Sequence, residues 1–180
     1  MKKRVLIRST SPRKGGNSDA LADAFLAGAL EAGHLAEKIR LSDKDIRFCR
    51  GCLACQKTTQ CVIRDDMGAI LDKMRQADVV AFATPVYFYE MCGQMKTLLD
   101  RTNPLFPAEY AFREIYLLAT AADGDEHAMD GAVQGLEGWI SCFGRAKLAG
   151  VRRGVGLDGV GAVQARPDIL ERAAQMGRAV

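Results

Sequence analysis

Short, uninterrupted apolar runs alternate along the chain with longer stretches in which apolar residues recur at helical spacing. The runs predict strands at 4–9, 35–41, 79–84 and 115–121, with a fifth between 146 and 156. The longer stretches predict helices at 18–32, 93–102 and 126–143, one after Asp65-Asp66 and one beginning at Pro167. Pro85 has no amide proton for a strand ladder, so we expect the third strand to end there.

This alternation of five strands with five helices predicts the α/β class, as one domain spanning residues 1–180. The third and fourth runs are apolar at nearly every position, which is typical of parallel strands covered by helices on both faces. A doubly wound sheet of this kind binds ligands beyond the carboxyl ends of its strands, where the strand order reverses. The loops that follow the strands are therefore the first places to look for chemistry.

Composition narrows the class of protein. The chain is 48% hydrophobic and 26% charged, which is ordinary for a globular protein, and its net charge of +3 is too small to indicate nucleic-acid binding. The longest apolar runs are too short to span a membrane. The basic N-terminus leads directly into the first strand and lacks the features of a secretion signal, so we expect a cytoplasmic protein.

The loop after the first strand, residues 9–18, has the composition of a phosphate site. It places hydroxyls, a guanidinium, an ammonium and two glycines where a helix N-terminus points its free amides. The simpler alternative is a polar connection in which Ser18 caps the helix. The candidate cofactor-binding residues of this loop are Ser9, Ser11, Arg13, Asn17 and Ser18.

The loop after the third strand is aromatic, with Tyr87, Phe88 and Tyr89 in succession. A flat heteroaromatic ligand would account for these rings, although a core or a subunit interface would also account for one or two of them. Strands one and three are neighbours at the switch point of a flavodoxin-like sheet, ordered 2-1-3-4-5. A phosphate loop on one strand and an aromatic loop on the other is the layout of a flavin mononucleotide (FMN) site.

A loop at about 45–65 holds four of the six cysteines, spaced Cys49-x2-Cys52-x2-Cys55-x5-Cys61. Three thiolates within seven residues and a fourth close behind are similar to the compact runs that ligate a four-iron cluster. Zinc sites usually separate their cysteine pairs by a longer spacer. The pattern leaves three states open: a 4Fe–4S cluster, zinc, or a metal-free loop.

Several motifs together resemble the NADPH-dependent FMN reductase family of flavodoxin-like proteins, in particular its iron–sulfur flavoprotein branch. They are residues 11–18, the four cysteines leading into Asp65-Asp66-Met67, Ala77-Asp78, residues 84–88, and residues 94–96 with Asp100-Arg101. These motifs occur in the order of the family and cover most of residues 1–103. One departure is Thr10, where the family usually has glycine, because a Cβ at this position restricts the turn.

The resemblance implies roles for individual residues. Ser11, Arg13, Asn17 and Ser18 would hold the FMN phosphate, and the four cysteines would hold a cluster where one is present. The ribityl chain and ring would contact Pro85, Val86, Tyr87 and Phe88, with Thr120, Ala121 and Ala122 at the other edge of the ring. The resemblance also implies a homodimer or homotetramer.

The function that follows is an FMN-dependent oxidoreductase, in which the cofactor does the chemistry and no catalytic side chain is required. Electrons would come from NAD(P)H, or from a reduced ferredoxin-like donor if a cluster is present. They would pass to a quinone, a metal ion, a nitro compound or a protein. The alternatives are a non-enzymatic electron carrier, which would usually be acidic, and a thiol-based redox sensor.

Overall fold

The computed structural model describes all 180 residues. Five parallel strands form the sheet: β1 (Arg4–Ser9), β2 (Leu35–Arg40), β3 (Val79–Tyr87), β5 (Glu114–Thr120) and β6 (Lys147–Gly154). Their spatial order is β2-β1-β3-β5-β6. When these five strands alone are numbered, this is the predicted order 2-1-3-4-5.

The prediction of five strands was incomplete, because a sixth strand, β4 (Glu90–Met91), pairs antiparallel with the end of β3. The expectation that β3 ends at Pro85 was also wrong. Pro85 lies opposite Thr120 inside the sheet, and the strand continues to Tyr87. A proline at the carboxyl end of a strand removes one amide donor but leaves its carbonyl free to pair.

Six α-helices connect the strands: α1 (Asn17–Glu31), α2 (Cys55–Thr58), α3 (Met67–Gln76), α4 (Gly93–Asp100), α5 (Asp130–Ile140) and α6 (Pro167–Arg178). The helix predicted at 126–143 is shorter, because residues 126–129 form a 3₁₀ turn ahead of α5. The predicted helix at 93–102 ends at Asp100. The one-turn helix α2 lies inside the cysteine loop and was not predicted.

Two apolar cores cover the two faces of the sheet, as a doubly wound fold requires. On one face, α1 and α6 pack around Phe25, which is fully buried. On the other face, α3, α4 and α5 pack around Phe82 and Phe112. No helix of the structure is both long enough and apolar enough to cross a membrane.

Candidate functional site

Three loops meet at the carboxyl edge of the sheet. The amide of Thr10, just after β1, donates a hydrogen bond of 2.8 Å to the carbonyl of Ala83 in β3. On the other side of β3, Pro85 lies opposite Thr120, the last residue of β5. The predicted phosphate loop, the predicted aromatic loop and the loop after β5 are therefore adjacent, at the switch point where such sheets bind ligands.

The loop at residues 11–18 is shaped to hold an anion. No group of the chain accepts from the amides of residues 17–19, which open helix α1, so these donors are available together with the positive end of the helix dipole. The hydroxyl of Ser18 is buried and lacks a partner, a condition that a bound anion would relieve. These features fit the phosphate group of FMN.

Close packing between Ser11 and Gly16 fixes the conformation of this loop. The hydroxyl of Ser11 bonds to both the amide and the carbonyl of Arg13, at 3.2 and 2.9 Å. A Cβ on Gly16 would lie 2.8 Å from that hydroxyl, so only glycine fits here without displacing the turn. Arg13 itself is exposed and makes no ion pair, so its guanidinium is free to face a ligand.

The side chain of Asn17 is bonded to other parts of the chain. Its amide nitrogen donates to the carbonyls of Leu157 and Gly159, at 3.1 and 2.9 Å, and its oxygen accepts from the amide of Val163 at 3.1 Å. Both N–H groups of the side chain are thus in use, and the remaining oxygen lone pair would repel a phosphate. Asn17 can donate to an anion only through its backbone, while its side chain anchors the segment after β6.

Ser9 and Thr10, which lead into the loop, also carry buried hydroxyls. Thr10 directs its hydroxyl inward, to the carbonyl of Ala83 at 2.9 Å, so the departure from glycine at this position leaves the loop unfilled. Ser9 lies near the carboxylate of Asp19, and its buried hydroxyl makes no hydrogen bond of normal geometry. Burial acts to raise the pKa of Asp19, but the Ser9 hydroxyl and Lys38 outweigh it and hold the pKa below its usual value.

Asp19 is therefore an anion next to a proposed anion site, and its charge is balanced locally. Lys38 and Arg40 lie 3.1 and 3.5 Å from its oxygens, and the carboxylate also accepts from the amide of Gly15 at 3.2 Å. The two cations offset the repulsion that the carboxylate would exert on a phosphate.

The aromatic loop is a hairpin that joins β3 to β4. Its two turn residues, Phe88 and Tyr89, have φ angles of 52° and 64°, a left-handed conformation that is costly for residues other than glycine. The ring of Phe88 is fully exposed. Such strain together with an exposed apolar ring is typical of a functional site rather than of packing.

Helix α5 supports this hairpin from one side. A Cβ on Gly131 would lie 2.4 Å from the carbonyl of Tyr89, so the turn rests directly on the helix backbone. The hydroxyl of Tyr89 reaches the carboxylate of Asp123, in the loop after β5, at 3.5 Å. Tyr89 was not among the predicted site residues, although it belongs to the aromatic run that indicated the site.

The predicted contacts at the other edge of the ring lie where β5 ends. Thr120 and Ala121 are buried, and the Ala121 amide donates to the carbonyl of Gly154. Ala122 is exposed. Their position next to Pro85 is consistent with a shared ring site, to which Ala122 contributes the accessible surface.

The cysteine segment leaves the carboxyl end of β2 and folds back over α3 and α4. All four cysteines line one small cavity, whose wall is completed by Asp100, Arg101, Asn103 and Pro104 at the end of α4. None of the four makes a hydrogen bond to the phosphate loop or to the aromatic hairpin. Within one chain, the cysteines thus neighbour the end of α4.

The electrostatics of the four sulfurs indicate that they interact. Burial raises the pKa of Cys55, and the nearby Cys61, Cys49 and Cys52 raise it further. The four sulfurs are therefore close enough in space to act on one another. No three Cys, His, Asp or Glu side chains of the chain converge on one point as a single metal ion requires.

Arg101 and Asp65 also belong to this region, although neither was predicted to lie near a ligand. The carboxylate of Asp65 accepts from the amide of Met67, the first residue of α3, at 3.1 Å. It also forms a two-bond ion pair with Arg101, at 2.6 and 2.9 Å. Both residues belong to motifs that carry the family resemblance, Asp65-Asp66-Met67 and Asp100-Arg101. Neither motif indicates that the two residues are in contact.

A sequence model of the NADPH-dependent FMN reductase family matches residues 3–152. The iron–sulfur flavoprotein of Methanosarcina thermophila is 33% identical over 137 residues, which are 76% of this chain and 72% of that protein. An iron–sulfur flavoprotein of Archaeoglobus fulgidus is 40% identical over 94 residues, 52% of this chain. The chain thus matches less than half of the length of the A. fulgidus protein, 43%.

Among solved structures, the NAD(P)H:quinone oxidoreductase from Methanothermobacter marburgensis superposes with a TM-score of 0.73. The superposition covers 99% of this chain and 98% of that one, at 18% sequence identity. At this identity the likeness is one of fold. It agrees with the strand order and with the flavodoxin-like arrangement of helices on both faces of the sheet.

Proposed function

Because the chain belongs to the NADPH-dependent FMN reductase family, we propose that it is an FMN-dependent oxidoreductase that uses NAD(P)H or a reduced ferredoxin-like protein as electron donor. The acceptor would be a quinone, a metal ion, a nitro compound or a protein. The observation that carries the proposal is the junction of the open phosphate loop with the strained aromatic hairpin at one edge of the sheet. FMN, when bound, supplies the hydride and electron-transfer chemistry.

The residues of the chain bind and orient the cofactor. The amides of residues 17–19 donate to the phosphate at the positive end of α1, and Arg13 adds a mobile positive charge. Ser11 and Gly16 keep the loop open for that phosphate. The loop offers a single anion site, and this supports FMN rather than a dinucleotide flavin as the preferred cofactor.

The ring-binding surface is made of Pro85, Val86, Tyr87 and Phe88 on one side and of residues 120–122 on the other. With FMN bound, these residues would exclude water from part of the ring. Since the ring of Phe88 is fully exposed, we further propose that a second copy of the chain completes the site, in a homodimer or homotetramer.

The proposal extends to a 4Fe–4S cluster held by Cys49, Cys52, Cys55 and Cys61. It is supported by the common cavity that the four cysteines line. The names of the iron–sulfur flavoproteins similar to this chain point in the same direction. A cluster would add single-electron chemistry to that of the flavin.

The experiment that tests the phosphate site is a comparison of FMN with riboflavin, which lacks the phosphate. In the double variant Arg13→Ala/Ser18→Ala we expect the Kd for FMN to rise by about 10- to 100-fold, since two charge-assisted contacts are lost. The Kd for riboflavin should stay within about twofold of the wild-type value. Both affinities are measured by quenching of flavin fluorescence.

Two results would overturn this assignment. An unchanged FMN affinity in the double variant would place the phosphate elsewhere. An equal loss for FMN and riboflavin would mean that the substitutions act on the ring site or on the fold, which far-ultraviolet circular dichroism of the variant distinguishes.

A further inference from the structure

A buried arginine lies at the base of the cysteine segment. The side chain of Arg101 is 1% exposed, at the end of α4, and the carboxylate of its partner Asp65 is completely buried. Two planar N–H groups of the guanidinium pair with the two oxygens of Asp65, at 2.6 and 2.9 Å. A third contact, to the carbonyl of Arg47, ties down the start of the segment.

The same guanidinium also reaches a sulfur. Its Nη2 lies 3.6 Å from Sγ of Cys61, within the range of an N–H···S hydrogen bond. Among the hydrogen bonds to the four clustered cysteines, this is the one donated by a side chain, the other being from the Gly51 amide to Cys49. Arg101 therefore places a positive charge and a directed donor against one sulfur of the cavity.

Other positive residues surround the segment without sharing this geometry. Arg47, Arg50 and Lys57 are exposed, and none of them donates to a cysteine sulfur. Solvent screens the field of exposed charges, whereas a buried donor in contact with sulfur acts through a low local dielectric. The single counter-charge facing Arg101 is Asp65, which the ion pair holds in place.

We propose that Arg101 is a positioning residue that sets the reduction potential of the cluster held by the four cysteines, through its charge and its bond to Cys61. The inference rests on the proposed function, because it needs the cluster to be present. One electron enters the cluster on reduction, and no bond to Arg101 forms or breaks. The added negative charge is stabilised by the guanidinium, so Arg101 raises the potential, as hydrogen bonds to cluster sulfurs generally do.

The test is a redox titration of anaerobically reconstituted full-length protein, with dithionite as reductant and the cluster followed by its electron paramagnetic resonance signal. In Arg101→Gln we expect the one-electron reduction equilibrium to fall about tenfold, a shift of about 59 mV to lower potential. Arg101→Lys keeps the positive charge but loses the paired planar N–H donors of the guanidinium, so the shift in potential should be smaller than in Arg101→Gln. Arg50→Gln is the matched control, since it removes an exposed charge next to Cys49, and it should change the equilibrium by less than about twofold.

Asp65→Asn separates charge tuning from mere anchoring. This variant breaks the two-bond ion pair but leaves the positive charge of Arg101 less compensated, so the potential should rise while that of Arg101→Gln falls. If Arg101 served only to anchor the segment, both variants would lose iron and the cluster that remained would keep the wild-type potential, which would overturn the proposal. A shift in Arg50→Gln as large as in Arg101→Gln would overturn it as well.

The outcomes also separate this inference from the proposed function. Wild-type protein that binds no iron and sulfide, or that binds as much after Cys52→Ala, would overturn the cluster and this inference together. A wild-type cluster with an unchanged potential in Arg101→Gln would overturn the inference alone. If Arg101→Gln holds no cluster, the direction of the shift in Asp65→Asn decides the question: a rise supports charge tuning, and no rise excludes it.

Discussion

At the scale of single residues, Asn17 shows that a position in the sequence does not reveal the partners of its side chain. The sequence places it in the phosphate loop, where it does lie, but its side chain is bonded to three backbone groups near Leu157 and Val163. These partners are about 140 residues away along the chain, so no local pattern could reveal them. By contrast, the Ser11 hydroxyl bonds to Arg13, only two residues away in the same loop.

Removal of the hydrogen bonds of Asn17 should destabilise the protein. In Asn17→Ala, two carbonyls and one amide lose their partners in a buried setting, and we expect a loss of about 3 kcal/mol in the free energy of unfolding. Urea denaturation gives this value directly. As control, Asn103→Ala removes one exposed bond, to the carbonyl of Asp100, and should cost about 1 kcal/mol or less. Equal small losses in the two variants would contradict the anchoring role of Asn17.

At the scale of elements, the apolar stripes predicted the main helices, while the closeness of their packing was hidden in glycines. Helices α1 and α6 touch backbone to backbone: a Cβ on Gly28 would lie 2.0 Å from the carbonyl of Ala174, and one on Gly177 would lie 2.1 Å from that of Phe25. In a sequence, a glycine inside a helical pattern only weakens the prediction of a helix. Here the glycine is needed because it permits close contact with a second helix that is distant in sequence.

This crossing predicts opposite effects for the same substitution at two sites. Gly28→Ala forces the two helices apart and should destabilise the protein by about 2–3 kcal/mol. Gly138→Ala, inside α5, meets nothing within 4 Å and should stabilise it by about 0.5–1 kcal/mol, because alanine favours the helix. Thermal unfolding of the two variants beside the wild type checks the signs, and a neutral Gly28→Ala would show that the helices can separate without cost.

At the scale of the whole molecule, the strand order could be predicted because it follows from the alternation of apolar runs and from the rules of doubly wound sheets. Strand β4 could not, since two residues carry no periodicity. The return of the cysteine segment over α4 depends on the buried pair of Arg101 and Asp65, which join positions 36 residues apart. The sequence therefore predicted the edge at which the loops after β1, β3 and β5 meet, but not that the cysteine segment packs against the end of α4.

Two buried carboxylates make the stability of the whole molecule depend on pH. For Asp65, burial acts to raise the pKa, but Arg101 outweighs it and lowers the pKa; Asp19 is lowered in the same way by Ser9 and Lys38. The unfolded chain then binds protons more readily than the folded one. The stabilisation is present above the unfolded pKa of about 4 and is lost as the pH falls through the folded values.

We therefore expect the free energy of unfolding to change little from pH 7 to about 5 and to fall steadily below about pH 4. Urea unfolding at a series of pH values measures this, and Asp19→Asn should show a shallower fall over the same range. Wild-type stability that stays level or rises on acidification from pH 5 to 3 would contradict the assignment.

The strained turn at Phe88 and Tyr89 has a consequence for protein engineering. A two-residue hairpin with both φ angles positive is made at least cost by Asn-Gly, and the aromatic pair forgoes about 1–2 kcal/mol at each position. A consensus or automated redesign for thermostability would replace these two residues first, because positive φ angles are unfavourable for aromatic residues. It would return a more robust scaffold that has lost the exposed ring of the proposed flavin site, so this hairpin should be held fixed in any attempt to stabilise the protein.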